Sequence, residues 1–455
     1  METLKSYNPA TGEVVGEVPV TPASDIPAVV ARARAAQPAW EELGLEGRVD
    51  LLRKTAEIFA ERAEAHGELM TKEMGKPLKE GIGEAKSLAY IDHELDEIVA
   101  TLQPEVVEDK RLRSTVYHDP LGVVGAITPW NFPMSMPAWM VLPALAAGNT
   151  VVFKPSEETP LCGQAYADVL NEVLPEDVLI VVHGADDQGK AIVQSEVDMI
   201  AFTGSREVGK HILRESSGTL KRVVLELGGK DPMIVLEDAD IGRAAKFAAR
   251  NSFGNAGQVC VSVQRVFAHR SIARELAERL AQAAMALSVG DPTSPDTEVG
   301  PLIRPTEVER VGEWVKEAVD QGGELLTGGE ALSETCYAPT VLYDPPGDAQ
   351  VSVLEIFGPV VCVYPYDEVD EAIARSNSLP YAFQASVFTR DLDTALRASR
   401  RLDASAVMVN DHPAFRVDWM PFAGLRESGI GVGGIPYTMQ DMQIKKLVVI
   451  RSKEL

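Results

Sequence analysis

From Thr150 onward, short apolar runs alternate with helical stretches. The runs occupy 151–153, 178–182, 199–202, 223–227 and 233–236; the helical stretches follow Thr159 and cover 188–194 and 208–215. Uninterrupted apolar runs of this length, separated by helices, suit strands covered on both faces, because each crossover helix packs against the sheet it leaves. The fold class predicted is therefore α/β, with a parallel, doubly wound sheet. A second α/β unit begins with an alanine-rich helix over 240–252 and continues through helices at 273–287 and 306–321 and apolar runs at 351–353 and 360–364. With 455 residues, two or three domains are expected. The region up to Thr101 reads as mostly helical. Segments 102–120 and 445–451 read as edge strands in need of a partner.

The stretch 121–153 contains no charged residue and is long enough to span a bilayer. Pro129, Pro133, Pro137 and Pro143 punctuate it, so a buried strand, a loop, a packed helix and a second strand are expected instead. A balance of 43 basic against 68 acidic residues gives a net charge of -25, which opposes nucleic acid and anionic membranes as partners. The four cysteines, Cys162, Cys260, Cys336 and Cys362, are far apart and form no C-x-x-C pair, so a reduced, cytoplasmic chain without a metal is expected. The first residues carry no signal-peptide pattern.

Two short strings carry the chemistry. L-E-L-G-G-K at 225–230 holds Glu226 among apolar residues and glycines, and G-Q-V-C at 257–260 ends on Cys260. A carboxylate facing a thiol across one cleft makes an acyl-transfer site without histidine, in which the thiolate attacks and the carboxylate moves protons near neutral pH. Cys162 is a rival nucleophile, since it follows Pro160 near a helix start where a thiol pKa falls. Cys362 reads as core and Cys336 as incidental. F-T-G-S-R-E-V-G brings Gly204, Ser205 and Gly209 to a strand-to-helix turn whose amides can face an anion; a plain turn with a serine cap is the simpler reading. F-K-P-S-E sets Lys154 and Glu157 beyond a strand end, either for sugar hydroxyls or as a surface ion pair. A literal G-x-G-x-x-G at Gly429, Gly431 and Gly434 runs into Pro436 rather than a helix, and is assigned to a turn.

Together with P-W-N-F-P at 129–133, E-I-F-G-P at 355–359 and P-F-A-G-x-R-x-S-G-x-G from Pro421, these strings resemble the NAD(P)-dependent aldehyde dehydrogenase superfamily. They follow its order along nearly the whole chain, with 34 positions between Glu226 and Cys260. The resemblance implies a Rossmann-type cofactor domain (1–101 and 121–228), a catalytic domain (229–432) and a small β oligomerisation element (102–120 and 433–455) that makes a homodimer or homotetramer. It implies that Cys260 attacks the aldehyde, that Asn131 and the backbone N–H of Cys260 hold the oxyanion, and that Glu226 activates the water that releases the acid. It places Lys154 and Glu157 on the adenosine ribose, Ser205 near the pyrophosphate, and Glu355 with Phe357 near the nicotinamide ribose. Thr128, Pro129, Trp130, Gly204, Gly209, Leu227 and Gly228 complete the cofactor set. Glu157 implies NAD as cofactor, with NADP possible, because a carboxylate repels a 2′-phosphate.

Phe132, Trp139 and Phe422 match positions lining the family's substrate tunnel, which implies a small or medium aldehyde. Arg416 borders it and either grips an anionic tail, as in a semialdehyde, or pairs with Asp418. Ala423, Arg426, Val432 and Gly433 depart from commoner family residues, and the tail is similar to the lactaldehyde and non-phosphorylating glyceraldehyde-3-phosphate branch; Val259 speaks against the phosphorylated triose itself. Two other readings compete: a coenzyme A-acylating relative, which usually lacks the glutamate, and a non-redox cysteine thioesterase, in which K-P-S-E and E-I-F-G-P have no purpose.

Overall fold

In the structure, a computed structural model that describes residues 2–109, 112–417 and 419–452, the alternating segments form two α/β sheets. The first contains parallel strands β1 (Val123–Ile127), β2 (Thr150–Lys154), β3 (Leu179–Val181), β4 (Met199–Thr203) and β5 (Arg222–Glu226) in the order β5-β4-β1-β2-β3. Every residue of β1, β2 and β4 is buried, as the unbroken apolar runs require. The chain runs from β1 outward to β3 on one side, then crosses back to β4 and β5 on the other. That reversal opens a crevice above the carboxyl ends of β1 and β4. The register pairs Ile127 with both Lys154 and Phe202, and Thr203 with Glu226, so four candidate segments end at one rim of the sheet.

Helix α1 (Ser135–Ala146) fills most of the rest of the charge-free stretch. Apolar on all sides, it is buried along almost its whole length. This is the packed helix expected between the two strands, with Pro137 and Pro143 both inside it; Pro137 falls in the first turn, where the missing N–H had no partner to lose. Helices α2 (Arg206–Ser216) and α3 (Ile241–Phe253) follow β4 and the second sheet's first strand.

The second sheet comprises β6 (Asp231–Val235), β7 (Val263–His269), β8 (Glu324–Thr327), β9 (Thr340–Tyr343), β10 (Val360–Tyr366), β11 (Gln384–Phe388) and β12 (Ala406–Val409), ordered β8-β9-β10-β7-β6-β11-β12. Only β8 is antiparallel to its neighbour. Each sheet has its own apolar core. Three features differ from the sequence reading. A hairpin, Thr3–Tyr7 with Val14–Pro19, precedes the N-terminal helices. The apolar run at 351–353 belongs to a single helical turn, Gln350–Val353. The supposed edge strand Leu112–Pro120 is the centre of a three-stranded antiparallel sheet, flanked by Glu105–Asp109 and by Gln443–Arg451, so two of the segments that lacked partners pair with each other. Among the described residues, no helix is long and apolar enough to cross a membrane.

Candidate active site

Glu226 is the last residue of β5, and its backbone pairs with Gly429 of the short antiparallel strand Gly429–Ile430. The next amide, Leu227 N–H, donates to Ser428 O at 2.9 Å. A Cβ at Gly433 would come within 2.3 Å of Glu226 Oε1. The glycine run does lead into a helix, Ile435–Asp441, with Pro436 tolerated in its first turn, which corrects that part of the sequence reading; yet it closes the open edge of the sheet and leaves room for the carboxylate. Glu226 is 9% exposed. Burial pushes its carboxyl up to about 7, while the Arg416 guanidinium and a 3.4 Å hydrogen bond from Thr203 Oγ1 pull the other way.

Cys260 approaches from the second sheet. After α3 the chain makes a tight turn, Gly254–Gly257, in which Asn255 (φ 48°), Ala256 (φ 55°) and Gly257 (φ 72°) are left-handed in succession. At Gly257 a side chain would strike Gly358 O at 2.2 Å. Gln258 ties the turn down: its Oε1 accepts from Ile303 N–H at 2.9 Å, and its Nε2 donates to Asn255 O at 3.1 Å. Asn131, on the loop after β1, joins the same knot, donating through Nδ2 to Gln258 O at 2.9 Å and accepting at its backbone O from Asn255 Nδ2 at 3.2 Å. Between the carboxylate and the second sheet, Gly229 lets the chain pass Cys260, where a Cβ would meet Cys260 O at 2.6 Å.

Burial pushes the Cys260 thiol far above its ordinary range, and the carboxylates of Glu226, Glu355 and Asp231 add to the effect. Burial thus favours the thiol over the thiolate that attacks, so a proton must leave as the sulfur attacks. Cys260 alone of the four cysteines is not fully buried. Cys162 loses its advantage at the helix start, because the Glu73 carboxylate already occupies that terminus, accepting from Leu161 N–H (2.8 Å) and Cys162 N–H (2.7 Å). Burial and Glu73 push that thiol well up. Cys362 lies in β10, where burial lifts it to about 11.

Trp139 and Phe422 meet edge to face at 5.7 Å, and Phe383 packs on Phe422 at 4.8 Å. The Arg416 guanidinium sits 3.4 Å from the Trp139 ring centre and 4.3 Å from that of Phe422. Arg416, Trp139 and Glu226 line a cavity of about 20 Å³. The alternative partner Asp418 lies outside the described residues. Phe132 turns its ring to Lys76, whose Nζ is 3.9 Å from the ring centre.

A larger cleft of about 500 Å³ opens at the carboxyl ends of β1, β2 and β4, and Thr128, Pro129, Trp130, Lys154, Glu157, Gly204 and Ser205 line it. Lys154 is only 3% exposed; its Nζ lies 3.3 Å from Glu157 Oε2, and burial lowers its pKa. Ser205 caps α2, its Oγ accepting from Val208 N–H at 3.4 Å. Thr128 Oγ1 is buried without a hydrogen-bond partner on this wall. A buried cation, an open helix terminus and an orphaned hydroxyl in one trough fit a dinucleotide. Gly209 and Leu227 pack on each other behind it, where a Cβ on Gly209 would meet Leu227 at 2.5 Å. Glu355 Oε1 accepts from Gly229 N–H at 3.1 Å, and a Cβ on Gly228 would fall 1.8 Å from its other oxygen. Burial pushes the Glu355 carboxyl up to about 7. Phe357, with φ 44°, meets Trp130 edge to face at 5.6 Å. Lys190 and His211 also line the cleft. Sequence reasoning passed over them, since each lies on an ordinary amphipathic helix.

Residues 1–448 match the aldehyde dehydrogenase family. The chain is 37% identical to 3-sulfolactaldehyde dehydrogenase of Priestia aryabhattai over 99% of its own length and 94% of that protein's. It is 35% identical to glutarate-semialdehyde dehydrogenase of Pseudomonas putida, over 98% of this chain and 94% of that one. The structure superposes on glyceraldehyde-3-phosphate dehydrogenase GapN of Methanocaldococcus jannaschii, complexed with NADP, with a TM-score of 0.95 at 32% identity, covering 99% of both chains. The chain belongs to the aldehyde dehydrogenase family.

Proposed function

We propose that this aldehyde dehydrogenase oxidises a short aldehyde bearing an anionic group to its carboxylic acid, with NAD as preferred cofactor and NADP as a second. The observation that carries the substrate class is Arg416, a cation held between Trp139 and Phe422 within the electrostatic reach of Cys260 and Glu226. Two relatives are named for anionic aldehydes, the sulfolactaldehyde and the glutarate semialdehyde.

In this reading Cys260 Sγ bonds to the carbonyl carbon as its proton passes to solvent water, and the carbonyl oxygen becomes the oxyanion of a thiohemiacetal. The Asn131 amide and the Cys260 N–H hold the oxygen as charge develops on it. When bound, an oxidised nicotinamide supplies the acceptor for the aldehyde's hydride, the chemistry that takes the thiohemiacetal to a thioester. Glu226 then removes a proton from water as its oxygen bonds to the thioester carbon, the carbon–sulfur bond breaks, and the acid departs as the thiol regains a proton. A carboxyl at about 7 is suited to both accepting and returning that proton. Thr128, Lys154, Glu157 and Ser205 are assigned to the adenosine and pyrophosphate, Glu355 and Phe357 to the nicotinamide end. A buried base beside the thiol favours water over coenzyme A as the acyl acceptor.

The domain roles proposed are cofactor binding for 1–101 with 121–228, and catalysis for 229–432. Segments 102–120 and 433–455 serve assembly into a dimer or dimer of dimers, for which exposed Leu447, Val449 and Ile450 offer an apolar edge. Four free cysteines support a cytoplasmic setting. To test the substrate class, kcat/KM is compared for propanal and succinic semialdehyde in wild type and Arg416→Gln. The semialdehyde is expected to lose about ten- to a hundredfold more than propanal, the worth of a charge-assisted contact. Equal losses for both substrates remove the anionic substrate from the proposal.

A further inference from the structure

The helix Leu78–Ser87 belongs to neither sheet, yet its carboxylates reach both loops that meet at Cys260. Lys76, just before it, and Glu84 form an ion pair with side chains 1% and 5% exposed. Such a pair is sustainable only where its remaining hydrogen-bonding capacity is met, and here the neighbours meet it. Glu84 Oε1 accepts from Met134 N–H at 3.2 Å and Ser135 N–H at 3.0 Å. These amides open α1, whose own cap residue, Met134, makes no side-chain cap bond. Lys76 Nζ rests over the ring of Phe132 at 3.9 Å. The residues gripped are thus 132, 134 and 135, immediately downstream of Asn131. One turn before Glu84 on the same face, Glu80 lies near the backbone amide of Asn255, which favours its ionised form; Asn255 is the left-handed residue whose side chain donates to Asn131 O.

We infer that Glu84, together with Lys76, is a positioning residue for aldehyde oxidation: it aims the Asn131 amide by fixing the chain on its downstream side, while Glu80 steadies the turn that carries Cys260. The inference rests on Asn131 acting as oxyanion donor in the proposed function. A donor of that kind contributes only if it is aimed before charge develops, and the Asn131 loop runs directly downstream into Phe132 and the start of α1, where Lys76 and Glu84 hold it. Without Glu84, the first amides of α1 lose their acceptor and a buried ammonium loses its counter-charge.

The test is a double-mutant cycle with Glu84→Ala and Asn131→Ala, read as kcat for the aldehyde at saturating NAD. Alongside it runs the rate at which iodoacetamide alkylates Cys260, a displacement of iodide that develops no oxyanion. Glu84→Ala is expected to lower kcat roughly ten- to a hundredfold and to leave alkylation and the KM for NAD unchanged. In the Asn131→Ala background it is expected to cost nothing further. Losses that multiply, or alkylation that falls in step with kcat, overturn the inference and leave Glu84 a structural residue. An Asn131→Ala enzyme that turns over at the wild-type rate instead defeats the oxyanion assignment itself, and the inference with it. Should Glu84→Ala fail to fold, the paired apolar replacement Glu84→Leu with Lys76→Met, which removes the acceptor and leaves no buried charge unpaired, enters the same cycle with the same expectations.

Discussion

The dinucleotide-shaped cleft and the chamber around Cys260 lie on neighbouring sheet ends but solve opposite electrostatic problems. In the cleft, charge is paired: Glu157 beside Lys154 opposes the burial that disfavours its ammonium, Ser205 caps the start of α2, and the walls leave about 500 Å³ for an occupant. In the chamber, charge is suppressed. Cys260, Glu226, Glu355 and Asp231 are all driven toward their neutral forms by burial, and the space beside Glu226 and Arg416 is about 20 Å³. A binding surface works with fixed donors and acceptors that need not change state. A site that must release and recapture protons works with groups whose two forms are close in free energy, and burial is the means of bringing them close.

The sharpest way to break this contrast is to remove the sulfur. Cys260→Ser is expected to lower turnover by a factor on the order of 10⁴ or more while NAD still binds, as read by steady-state kinetics and a binding titration. Wild-type turnover in that variant removes the chamber from the chemistry altogether. Next in size, Glu226→Gln should slow turnover by roughly 10² to 10⁴, yet give one burst of NADH per site before stalling, seen by rapid-mixing absorbance. No burst means that Glu226 acts before the thioester rather than after it.

The pH dependence offers a finer cut. The base must be ionised to act, so hydrolysis-limited turnover should rise with pH through about 7 and then level, and Arg416→Gln should move that midpoint to higher pH by removing a charge that favours ionisation. The same group affects stability in the opposite sense. Its carboxyl sits at about 7 when folded against an ordinary 4.5, so the folded chain binds the proton more tightly, and stability should fall as pH climbs between those values. Glu226→Gln should flatten that part of a pH–denaturation series.

On the cleft side, Glu157→Gln should shift the kcat/KM ratio toward NADP by only about three- to tenfold, because a half-exposed carboxylate is screened. The smallest effect is expected of Cys162→Ala, which should leave kcat unchanged, since that thiol is sealed away from both regions.

What could be read from the chain divides along the same line. Strands β1, β2 and β4 were legible because burial on both faces leaves an unbroken apolar run. Strand β7 was not, since it carries Gln264 and Arg265, buried polar residues satisfied by the Gly229 and Lys230 carbonyls among others, and these erase the apolar signal. The strings holding Glu226, Cys260 and Asn131 stood out as motifs. The thiol's resting state did not, for it depends first on burial and then on three carboxylates brought together from distant positions. Lys76 and Glu84 look in sequence like any solvated helix charges; only the packing of α1 against them shows that they are buried. The partnership of Leu112–Pro120 with Gln443–Arg451 was reached only through the resemblance, which groups 102–120 with 433–455, because either strand alone shows only an alternation that awaits a neighbour.

The late return of the chain to Glu226 has a consequence during biosynthesis. The edge of β5 is covered only by Gly429–Ile430, and the small sheet closes only with Gln443–Arg451. A polypeptide emerging from the ribosome therefore holds both its sulfur and its base for about 170 residues of further synthesis (260 to 429) before the seal arrives, roughly eight to thirty-five seconds at ordinary elongation rates. The nucleophile and the base are in this way both made well before the strand that closes over the base.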